Sequence, residues 1–137
     1  MNIALLRYGF VLILLALLTG FFIHLMAIPR LGVVAHTVGV MSGILLLVIG
    51  AVWPQFSLSA GKLAVMKWCW IYSAYANWLG CLVGAITGAG FLTPVAAAGV
   101  SGPPAAEAVV AVLLISIGFT ALAAVVLSLM GLAPRRD

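Results

Sequence analysis

W-C-W-I-Y-S-A-Y-A-N-W-L-G-C-L-V-G-A-I-T-G, from Trp68 to Gly88, is apolar enough to cross a bilayer yet carries Ser73, Asn77 and Cys81 at near-helical spacing. Gly80, Gly84 and Gly88 add a small residue once per turn. At about 100° per residue, Trp70, Ser73, Asn77, Gly80, Cys81, Gly84 and Gly88 fall within roughly one third of a helix circumference. Trp68, Tyr72, Tyr75 and Trp78 occupy the remainder. One face is small and polar, the other large and aromatic. A helix that only had to sit in lipid would need no such division.

The rest of the chain is built to hold this span in a membrane. Of 137 residues, 66% are hydrophobic and 6% charged, with mean hydropathy +1.38. A soluble domain carries about a quarter charged residues. The composition is that of an integral membrane protein and leaves no room for a separate soluble domain. At about 20 residues per crossing, the length allows four helices with short connections. The net charge of +4 comes from scattered basic residues that mark helix ends, not a nucleic-acid surface. Cys69 and Cys81 lie about 18 Å apart along one expected helix. A disulfide needs Cα atoms within about 7 Å, so these two do not bridge each other. The N-terminal apolar run continues well past the roughly 7–15 residues of a signal core and is read as a retained helix.

The expected fold is all-α, an integral membrane four-helix bundle forming a single domain over residues 1–137. Helix one is expected over about residues 3–28, stopped by Pro29, which cannot continue the hydrogen-bond ladder. Helix two is expected over about 31–53, ending before Pro54, with a polar turn from Gln55 to Gly61. Helix three follows over about 62–87 and helix four over about 105–132. With four crossings, Arg7, Lys62, Lys67, Arg135 and Arg136 share one side and Arg30 lies on the other. The termini are therefore expected in the cytoplasm, at an inner (plasma) membrane of bacterial type. The long outer connection, Gly88 to Pro104, reads either as a flexible linker or as a lid over a pocket. Glu107, in the first turn of helix four, reads as a partner of the helix dipole in preference to a catalytic acid.

His24 and His36 stand symmetrically about Arg30, at the same expected depth in an antiparallel hairpin. An imidazole in a membrane helix is a functional candidate and the commonest metal ligand; the alternative is an interhelical hydrogen bond. Gly39 and Gly43 lie on much the same side as His36. Such a pair marks close helix packing, and the same cleared surface would suit a flat porphyrin. By rise per residue, Ser42 and Asn77 reach similar depths, about 15 Å from the outer ends, and Cys81 lies near the level of His36. His36, Ser42, Asn77 and Cys81 are therefore expected around one intramembrane cavity. Asn77 is the strongest polar signal, because an amide in hydrocarbon must find partners. The expected first three helices lack a carboxylate away from their ends, which argues against a proton-coupled exporter. No Ser-His-Asp set, phosphate loop, nucleotide fingerprint or Cys/His metal cluster is present.

R-L-G-V-V-A-H-T-V-G-V-M-S-G around His36 and Y-A-N-W-L-G-C around Asn77 resemble the hydroxylaminobenzene mutases along the whole chain. More distantly, over helices two and three, they resemble the styrene oxide isomerases. The resemblance to the latter, trimers with haem b at subunit interfaces, implies His36 as the axial ligand and a homotrimer. That family places an asparagine six residues after the histidine and a tyrosine four residues after the A-N pair. Here those positions hold Ser42 and Cys81, which argues against epoxide isomerisation; Asn77 matches the family's asparagine.

The expected activity is conversion of hydroxylaminobenzene to 2-aminophenol, with haem iron as Lewis acid and Ser42, Asn77 and Cys81 binding the substrate. No electron donor is required. The rival reading is an electron-carrying cytochrome in which His24 and His36 ligate one haem from both sides.

Overall fold

Pro29 decides where the first hairpin turns, as the start of a helix and not as the end of one. In the computed structural model, which describes residues 1–132, helix α1 (Ile3–Phe21) stops a full two turns before that proline. A short 3₁₀ turn, Ile23–Leu25, follows, and Pro29 then occupies the first turn of α2 (Pro29–Ala51). Its fixed φ suits that position and its missing N–H costs nothing there. The turn folds back over α2: a methyl placed on Gly32 would lie 2.6 Å from Met26 Sδ. Trp53–Gln55 forms a second 3₁₀ turn. Helix α3 (Ala60–Thr87), the four-residue α4 (Pro94–Ala97) and α5 (Pro104–Gly131) complete the order. No strand occurs among the described residues. Helices α1, α2, α3 and α5 are each long and apolar enough to cross a membrane. Arg135 and Arg136, which bear on the orientation, lie outside the described residues.

Small residues let α1 and α2 approach closely. A methyl on Gly9 would lie 2.8 Å from the Gly43 carbonyl oxygen, and one on Gly43 would lie 2.8 Å from that of Gly9. Helix α3 packs between α2 and α5, touching α1 lightly, while α5 packs along α3. At one end of the bundle, Asn2 N–H donates to the Gly50 carbonyl (2.8 Å) and Ser57 N–H to that of Gly131 (2.9 Å). The start of α1, the α2–α3 turn and the end of α5 therefore share that end, as four antiparallel crossings require.

At the other end, Gly88 takes a left-handed φ of 78° that closes α3, a conformation natural to glycine. The connection beyond it is clasped. Glu107 accepts backbone N–H bonds from Gly102 (2.9 Å), Gly90 (3.0 Å) and Phe91 (3.2 Å). The carboxylate thus organises the loop as well as sitting at the start of α5. Ala97 of α4 is buried over a cluster of Ile28, Leu31, Ala35, Cys81 and Ala85, so the segment is a pinned cap and not a free linker. Charge-assisted bonds of this kind are the strong ones. Glu107→Ala is expected to lower hydrogen-exchange protection at Gly90, Phe91 and Gly102 by on the order of tenfold or more, with the mid-helix amides of α2 and α3 unchanged.

Candidate active site

The two faces of α3 open onto different grooves. On the small, polar side, Trp70, Ser73, Ala74 and Asn77 join Ser42, Leu45 and Leu46 of α2 and Ile117 and Ala121 of α5 around about 130 Å³. The space continues along α2, past Val38, Met41 and Val48, as a more open groove that Ser42 and Asn77 also line. Trp70 is a fixed wall, its Nε1–H donating to Ser128 Oγ at 3.1 Å. On the aromatic side, Tyr75 OH donates to the Tyr8 carbonyl (2.8 Å) and Tyr72 OH to Ser116 Oγ (2.7 Å).

Ser42 and Asn77 are the unusual pair. Every other serine and threonine in the four long helices hydrogen-bonds back to its own helix, as Ser73 does to the Trp70 carbonyl. The side chains of Ser42 and Asn77 make no hydrogen bond among the described residues, and their polar atoms stay accessible from the groove. Both are half-buried, at one level, in an apolar groove. A polar group held in hydrocarbon without a partner is costly, so the groove suits a guest that hydrogen-bonds.

His36 faces the other way. Its Nδ1 lies 2.8 Å from the Ala16 carbonyl oxygen of α1. A carbonyl only accepts, so Nδ1 carries a proton, and in the neutral ring Nε2 keeps its lone pair. Nε2 has no hydrogen-bond partner among the described residues. The ring lines an apolar groove of about 590 Å³ with Leu14, Leu17, Leu18, Gly20, Phe21 and Ile23. An imidazole oriented through Nδ1–H···O=C and free at Nε2 is in the form that ligates a metal. Among the described residues no three His, Cys, Asp or Glu side chains cluster as a metal site. A haem needs a single axial nitrogen and an apolar slot, and the His36 groove fits those two requirements.

The expected cavity around His36, Ser42, Asn77 and Cys81 is therefore not formed within one chain. Ser42 and Asn77 meet; His36 lies on the α1 flank of α2 and Cys81 lines neither groove. Cys81 is buried in the cluster under the outer connection, because its azimuth on α3 turns it from the Asn77 groove toward Leu31 and Ala35. Gly39 and Gly43 offer no surface to a porphyrin. A methyl on Gly39 would lie 2.6 Å from Ala16 Cβ and 2.7 Å from Trp78 Cδ1, and one on Gly43 2.5 Å from Ile13. Those faces are filled by α1 and α3, so the packing reading of the glycine pair holds. His24 sits exposed in the 3₁₀ turn beyond the end of α1. The early helix end removes the symmetry that paired it with His36.

Two contributors escape a reading of side chains along the sequence. Thr19 Oγ1 accepts from Trp78 Nε1 (3.2 Å) while donating to the Leu15 carbonyl (2.9 Å), tying α3 to the turn of α1 that His36 touches. Gly20, next to it, leaves room for the imidazole. The only sequence signal for both is the Thr19-Gly20 interruption of an otherwise apolar run.

Comparison with known proteins bears on the family of the chain. Hydroxylaminobenzene mutase HabB of Ectopseudomonas oleovorans is 43% identical over 135 residues, covering 96% of this chain and 82% of that protein. Hydroxylaminobenzene mutase HabA of the same organism is 40% identical over 125 residues, 90% of this chain and 93% of that protein. No solved structure matches. The family model for styrene oxide isomerase matches residues 1–133. The chain belongs to the styrene oxide isomerase family and is a membrane isomerase of mutase type.

Proposed function

We propose that this isomerase converts hydroxylaminobenzene to 2-aminophenol. The observation that carries the reading is near full-length similarity to two mutases named for that substrate. Substrate and product are isomers. The N–O bond breaks, a C–O bond forms at the ortho carbon, and the proton lost there balances the one gained at nitrogen. No external electrons enter, so no nicotinamide is needed.

The groove residues suit these demands. An amide both donates and accepts, so Asn77 can hold an N–H and an O–H of the same substrate, with the Ser42 hydroxyl beside it. The ring packs against Leu45, Leu46, Trp70 and Ile117. The partly open space of 130 Å³ between these walls is close to the roughly 150 Å³ of an apolar cavity known to take up benzene. Those walls also keep water from a cation-like ring. Haem b, held by His36, would supply a Lewis acid that weakens the N–O bond.

His36 and the Ser42–Asn77 pair line separate grooves of one chain, so we read the working site as one completed between copies, in a homotrimer. The long apolar face of α5, which among the described residues packs mainly along α3, supports assembly. The end bearing Arg7, Lys62 and Lys67 is assigned to the cytoplasm of a plasma membrane, with both termini.

Purified protein given hydroxylaminobenzene without any nicotinamide is expected to form 2-aminophenol, to leave styrene oxide unconverted, and to migrate in detergent at the mass of three chains. A need for an electron donor, or 4-aminophenol as the main product, would overturn the activity. A fully active monomer would overturn the shared site.

A further inference from the structure

Gly20 stands where α1 passes the His36 ring. A methyl placed on it would lie 2.9 Å from Nδ1 and 3.2 Å from Cε1. These are the ring atoms nearest to it, and Nδ1 is the one that reaches the Ala16 carbonyl at 2.8 Å. The backbone conformation does not explain the glycine, because Gly20 is not among the residues with positive φ. The space does.

The acceptor cannot easily shift to compensate. Ala16 is fully buried, with its Cβ against Gly39. The same turn is held by the Trp78–Thr19 bond and by Thr19 to Leu15. A side chain at Gly20 therefore has one soft neighbour to displace, the imidazole.

We infer that Gly20 is a positioning residue, which admits the His36 ring to the Ala16 carbonyl and so fixes the tautomer with hydrogen on Nδ1 and the lone pair on Nε2. In an apolar groove a neutral imidazole takes the tautomer that its one partner dictates. Donation from Nδ1–H also strengthens electron donation from Nε2 and holds the ring plane. The tautomer stands on the geometry alone; only its consequence for an axial ligand rests on the haem reading above.

The test uses the full chain in lipid bilayers with ¹⁵N-labelled imidazoles, first without added haem. His36 is expected to show a single Nδ1–H tautomer, and exposed His24, which has no such partner, serves as the reference. In Gly20→Ala the single tautomer is expected to be lost. Haem titrated into that variant should bind roughly tenfold or more weakly, with the iron–histidine stretching frequency lowered. Gly118→Ala, whose methyl meets nothing within 4 Å, should leave all three readouts unchanged. An Nε2–H tautomer in the native protein, or an unaltered tautomer in Gly20→Ala, overturns the inference. The first of these decides the matter even if Gly20→Ala fails to fold. A native protein with the expected tautomer, lost in Gly20→Ala, but with no affinity for haem would uphold the inference and remove the haem reading.

Discussion

Asn77→Leu is expected to stop turnover while leaving the protein at least as stable as the native chain. The two halves of this result have one cause. The Asn77 amide lies half-buried in an apolar groove with no partner among the described residues. The folded state therefore withholds the hydrogen bond that water or headgroups supply when the chain is unfolded in detergent, at a cost of about 1 kcal/mol or more. Leucine has nearly the same shape and no such cost, so the thermal midpoint in detergent should stay or rise. A positioned donor acting on developing charge is worth roughly 100-fold in rate or more, and the rate of 2-aminophenol formation should fall by at least that. If Asn77 instead served as an interhelical bond, leucine would lower the midpoint. The sign of the stability change thus separates a binding amide from a structural one.

That amide was also the most legible part of the site. Counting 1.5 Å per residue inward from the helix ends puts Ser42 and Asn77 at one depth, and the structure sets them in one groove. Depth alone says nothing about azimuth between helices. Cys81 is one turn from Asn77 on the same face, and that small rotation is enough to bury it under the outer connection. The spans themselves could be read from hydropathy and proline, except at the end of α1. Phe21, Phe22 and Ile23 are as apolar as the helix before them, so beyond the Thr19-Gly20 interruption nothing in composition marks the break. A proline seven residues further on reads equally as a stop for one helix or a first turn for the next. Glycines announce a close approach but not the neighbour: Gly39 meets Ala16 and Trp78, where the sequence is also compatible with a flat cofactor. The partner of His36 was hidden for a simpler reason. It is the carbonyl of Ala16, and every residue has one.

On the proposed haem reading the imidazole has two roles, and His36→Asn separates them. The Asn side-chain nitrogen falls close to where Nδ1 stands, so it can still donate to the Ala16 carbonyl, now 2.8 Å from Nδ1. No atom remains in the place of Nε2. The variant should therefore fold with a stability within about 1 kcal/mol of native, and yet purify without haem absorbance. Its rate should fall by on the order of 1000-fold, the several kcal/mol that a Lewis acid contributes to a charged transition state. His36→Gly removes both roles. It should be less stable, because the ring volume is lost as well as the bond. It also leaves a vacancy of imidazole shape beside Gly20, and added imidazole is expected to restore part of the haem absorbance and part of the rate. Turnover by His36→Asn at the native rate would show that no ligand at Nε2 is needed. The Ser42–Asn77 groove would then have to accomplish the rearrangement alone, with His36 reduced to a clamp between α1 and α2.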